Sequence, residues 1–82
     1  MPPYKDIADH PEDERIRQIG EKAMKEKLVV GFFVDSEGPT TFDKADRYIA
    51  KLTKRFPGIR VMHKGPGIVA ETVLVKVGPP LN

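Results

Sequence analysis

Lys44, Arg47, Lys51, Lys54 and Arg55 follow one another at i, i+3, i+7, i+10 and i+11, a spacing that sets five cations on one helical face. Arg60, Lys64 and Lys76 come soon after in the chain. Cations gathered on one surface neutralise backbone phosphates and release counterions, so the pattern points to an anionic macromolecule, nucleic acid or acidic protein. The ordinary alternative is a solvated helix face, and no aromatic stands among the five to stack on a base.

Two further groups bear on chemistry. Asp35, Ser36, Thr40 and Thr41 lie in a loop between an apolar run and a helical pattern, a place where helix N–H groups and hydroxyls hold phosphate in open α/β sheets. The loop has one glycine and no phosphate-loop pattern, and Asp35 and Glu37 repel an anion, so turn chemistry with a helix cap is the favoured reading. Those two acids alone do not make a Mg²⁺ site. His63-Lys64-Gly65-Pro66-Gly67 places an imidazole beside a turn, with Glu71 as its nearest carboxylate in sequence. The best catalytic grouping is Asp35, Thr40 and His63. His10 reads as a neighbour of a helix cap.

Nothing else supplies a reaction centre. The chain has no cysteine and two histidines, which removes disulfides, thiolate metal sites and thiol catalysis and leaves little for zinc. The expectation is a non-catalytic domain with no metal and no cofactor. Its 82 residues with 39% apolar and 32% charged composition fit one small globular domain. The longest apolar run, Leu28 to Val34, is too short to span a membrane, so a cytoplasmic protein is expected.

The net charge of +2 hides a polarity. Residues 1–42 carry six cations and nine acids, whereas residues 43–82 carry eight cations and three acids. The basic second half is the expected site of contact with an anionic partner.

The elements that must position these groups follow from periodicity. Residues 1–8 read as an arm, 9–78 as the domain and 79–82 as a tail. A helix is expected from Asp9 or His10, with Ile16, Ile19, Ala23 and Met24 as its apolar stripe and Asp13–Arg17 and Glu21–Lys25 as i,i+4 pairs. Leu28–Val34 reads as a strand apolar on both faces, hence central and parallel-paired. A second helix is expected over 42–56, capped by Thr40 or Thr41 and directing Ala45, Ile49, Leu52 and Phe56 inward, with Phe42 and Tyr48 on its flanks. Strands over 59–64 and 69–77 follow, the first alternating Ile59, Val61 and His63 against Arg60, Met62 and Lys64.

The resulting order is α-β-α-β-β, an α/β (α+β) fold. The expected sheet is mixed and three-stranded, with a parallel β-α-β unit and a C-terminal antiparallel strand. Gly20 and Gly31 are both expected to face packed surfaces. If both helices cover one face of the sheet, the other is left with Val29 and Phe33, or with the opposite set of that strand, plus Met62 and Leu74; if the helices take opposite faces, no patch is left. Such a patch would mark self-association, and a homodimer is the alternative function.

Overall fold

A computed structural model describes residues 11–35, 42–69 and 71–81. Helix α1 spans Pro11–Met24, strand β1 Val30–Asp35, helix α2 Asp43–Arg55, strand β2 Arg60–Pro66 and strand β3 Thr72–Gly78. The expected arm and the helix start at Asp9 or His10 lie outside the described residues.

Helix α1 opens on Pro11, where a missing N–H costs nothing, and carries Glu12, Asp13 and Glu14 in its first turn, which suits the positive end of the helix dipole. It closes before Lys27, which adopts a left-handed φ of 60°. Ile16, Ile19 and Ala23 are buried, as the stripe requires. Gly20 is needed for packing: a methyl there would sit 2.0 Å from the Phe56 ring. The expected i,i+4 pairing is replaced. Arg17 bonds Glu14 and Glu21, and Asp13 instead lies 3.4 Å from Lys51 on the other helix.

Helix α2 buries Ala45, Tyr48 and Leu52. Tyr48 is therefore core, where a flanking position was expected, and its ring lies 5.9 Å from that of Phe32. Ile49, Phe42 and Phe56 are only partly buried. Phe42 occupies the cap position without a side-chain cap, and Thr40 and Thr41 lie outside the described residues. The helix stops at Phe56-Pro57-Gly58, where Gly58 takes φ 99°.

The sheet corrects the expected topology. Its strand order is β1-β3-β2, and β3 pairs antiparallel with both neighbours. The sheet is antiparallel throughout and contains no parallel pairing. Strands β1 and β2 still run in the same direction around α2, but β3 inserts between them as a split β-α-β arrangement. The physical reason lies in burial. Val73, Val75 and Val77 are almost inaccessible on the helix side, so β3 is the strand that gains most from the central place. Strand β1, expected to be central, is an edge.

Register assigns the faces. Val30, Phe32 and Val34 lie opposite Val77, Val75 and Val73 and share their face, against which both helices pack. Val29, Gly31, Phe33 and Asp35 alternate onto the opposite face with Thr72, Leu74, Lys76 and Gly78. The expected alternation of the second strand fails at a bulge between Val61 and His63. Val61 pairs with Val77 and Lys64 with Val75, so an odd and an even position share the helix side. Strand β3 starts at Thr72 rather than Val69, because Glu71 turns the chain at φ 62° and the Thr72 hydroxyl donates to the Val69 carbonyl.

Candidate interaction surface

The cations do not form one surface. Arg47 donates from Nε and Nη2 to the two oxygens of Glu12, each at 3.2 Å, and Lys51 Nζ reaches Glu12 at 2.9 Å. The stripe on α2 faces the acidic first turn of α1, where solvent was expected. These hydrogen bonds from Arg47, together with those from Lys51 and the charge of both, hold the Glu12 carboxyl at about 2, against an opposing effect of burial. The same pairing raises Lys51.

The remaining cations are dispersed. Lys64 Nζ lies 2.7 Å from Asp46 and 5.5 Å from the centre of the Phe42 ring. Arg60 donates to the Pro79 carbonyl at 2.9 Å. Lys54 and Arg55 are exposed at the end of α2, with the Arg55 guanidinium 5.9 Å from the Phe56 ring centre. Lys76 lies on the opposite side of the sheet, the face that the register also gives to Arg60, opposite Gly78, and to His63, opposite Lys76.

Where α1 meets α2 there is an open cleft of about 510 Å³, with Arg15, Lys44, Arg47 and Lys51 set against Glu12 and Asp13. Arg15 was not singled out by the sequence. Its guanidinium donates to the Phe33 carbonyl at 2.9 Å and to the Tyr48 hydroxyl at 3.3 Å, and lies over the Tyr48 ring. That carbonyl belongs to an edge strand, so Arg15 guards the β1 edge against pairing. Within the cleft Arg47 and Lys51 pair with Glu12, and Lys51 also with Asp13.

The catalytic grouping is not assembled. Asp35 pairs with Thr72 on one edge strand and His63 with Lys76 on the other. Two strand spacings and four residues of β3 separate them, about 16 Å. Glu71 likewise lies beyond the start of β3, well away from His63. Ser36, Thr40 and Thr41 lie outside the described residues. Among the described residues there is no cluster of three metal-ligating side chains, and no helix is long and apolar enough to cross a membrane.

The uncovered sheet face does gather residues named from the sequence. Phe33, Met62 and Leu74 share it, and Phe33 and Met62 stay close to half exposed. Val29 is 56% exposed at one end of the face. A methyl on Gly78 would meet Met62 Sδ at 2.8 Å and Val29 at 3.5 Å, so these two cluster there. At the other end the 67–69 turn lies beside Phe33, with Ile68 92% and Val69 63% exposed. Their inclusion depends on how the turn folds back, which periodicity cannot report. Gly31 faces this open side, where a methyl would meet Lys76 Cγ only at 3.7 Å. The packed surface expected for it is absent.

No family model, curated protein or solved structure matches the chain.

Proposed function

We propose that this is a small non-catalytic assembly domain that associates with a second copy of itself through the uncovered face of its sheet. The observation that carries this reading is the apolar row Val29, Met62, Leu74 and Phe33, continued by Ile68 and Val69, on a face that neither helix covers. Contiguous apolar patches of this kind on small domains mark contact surfaces. The charges on the face sit toward opposite ends, Lys76 and Arg60 toward one and Asp35 at the other, which suits an isologous contact. Three strands make a face about 15 Å wide and about 20 Å long, well under the roughly 800 Å² per partner of a standard interface. Association in the micromolar range is expected.

Sedimentation of the full chain from about 1 µM to 1 mM tests this. A concentration-dependent dimer is expected, and Phe33→Ser with Leu74→Ser should abolish it while costing little stability when both chains are compared as monomers, at concentrations well below the dissociation constant. A strict monomer overturns the reading. So does a large loss of stability in the double variant, because it would mean that the face is covered within one chain.

A second reading, contact with an anionic macromolecule, is favoured by Lys54 and Arg55, which extend the α2 stripe beyond the Glu12 pairing and stay exposed. Titration with mixed nucleic acids at two salt concentrations tests it. Absence of binding at low salt, or binding without a salt slope, rejects it.

A further inference from the structure

Resting on the assembly reading above, we propose that the two copies stack with their strands antiparallel, about a two-fold axis at the Phe33–Leu74 level, held in register by reciprocal Lys76–Asp35 ion pairs.

Within one chain these two charges cannot meet. Lys76 lies opposite Gly31 and Asp35 opposite Thr72, four residues or about 13 Å apart along the sheet. Neither has an ion-pair partner among the described residues. The level midway between them is that of Phe33 and Leu74, which are themselves register partners. A two-fold axis lying in the interface at that level and perpendicular to the strands places each Lys76 at the level of the other copy's Asp35. It also stacks the Phe33–Leu74 pair on itself.

The lateral direction agrees. The two charges would be offset by one strand spacing, because Lys76 is on central β3 and Asp35 on edge β1. The Lys76 stem already leans toward β1, with its Cγ 3.7 Å from where a Gly31 methyl would stand. Absence of a side chain at Gly31 leaves that route open. Across a sheet separation of about 10 Å, an extended lysine and an aspartate span the gap.

The ends agree as well. The same axis lays Val29 and Met62 of one copy toward Ile68 and Val69 of the other, matching the apolar clusters at the two extremities of the face. A two-fold parallel to the strands would instead bring the two Asp35 carboxylates to the same end, where like charges disfavour pairing. The arrangement is closed, so association stops at the dimer.

The test is a charge swap in the full chain, read by sedimentation. Lys76→Glu and Asp35→Lys are each expected to weaken the dimer at least about tenfold, and the double variant to return to within about threefold of the parent. Both positions are exposed, so melting curves taken at concentrations where every chain is monomeric should stay unchanged. Carbodiimide coupling of mixed light and ¹⁵N-labelled chains should give an inter-chain Lys76–Asp35 link.

A parent chain that stays monomeric overturns the assembly reading together with this one. A dimer that is lost on Phe33→Ser with Leu74→Ser, yet is indifferent to the single charge variants or not restored by the double, overturns only the antiparallel stacking. Growth into open-ended species overturns the two-fold closure.

Discussion

Glu12→Gln keeps the shape of the side chain and removes the charge that holds Arg47 and Lys51 against α1. A carboxyl held at about 2 instead of 4.5 corresponds at face value to about 3 kcal/mol of folding free energy. Arg47 and Lys51 are close to half exposed, and solvent screening reduces the contribution to about 1 kcal/mol. For a domain of this size that is a fall of about 4–8 °C in melting temperature at pH 7. The pH dependence follows from the sign of the shift. The folded-state value is depressed, so the contribution is complete above about 4.5 and is lost as the pH falls toward about 2. The gap between the parent and the glutamine variant should therefore be constant from pH 7 to 5 and close between 4.5 and 2. Thermal or urea unfolding at a series of pH values measures it. A variant as stable as the parent at pH 7, or a gap that survives at pH 2, refutes the assignment of Glu12 as the clamp between the helices.

Three other outcomes follow from the packing. Gly20→Ala should destabilise by about 1–3 kcal/mol in urea unfolding, because the methyl meets the Phe56 ring and overpacking outweighs the helix propensity gained. Gly31→Ala should leave stability unchanged or raised by up to about 1 kcal/mol, since the space on the open face is free and alanine narrows the unfolded ensemble. Leu52→Ala, at a position 1% exposed beneath the sheet, should lose about 2–5 kcal/mol, enough to unfold much of a marginal domain at 37 °C.

Element types were legible because each rests on a local signal: the α1 stripe of Ile16, Ile19 and Ala23, the Phe56-Pro57-Gly58 stop and the β-branched runs. Strand order was not. Leu28 to Val34 is apolar on both faces, and such a run usually signals a central parallel strand. Here one face goes under the helices and the other stays open, so the same composition belongs to an edge. The bulge after Val61 also broke the alternation read for β2, since one extra residue reverses every later side chain. Period alone left open which set of the first strand, that of Val29 and Phe33 or its opposite, would be exposed beside Met62 and Leu74, and the docking of both helices on one face is what leaves Phe33 there. The cationic stripe of α2 was expected to face solvent. That this face meets Glu12 and Asp13 depends on how α1 docks, which no spacing within α2 encodes.

The order β1-β3-β2 has a consequence for the route to the native state. Neither β1 nor β2 has a strand to pair with until the residues of β3, later in the chain than both, are available. During synthesis the first four elements therefore leave the ribosome without a single ladder hydrogen bond, and the sheet forms late. Only the hairpin of β2 and β3 is local, so it forms first and offers its free edge to β1. A chain cut before Thr72 would keep both helix sequences and two strand sequences and still have no sheet. The last few valines act as the keystone, and lesions there should be felt as failed folding rather than as a weakened fold.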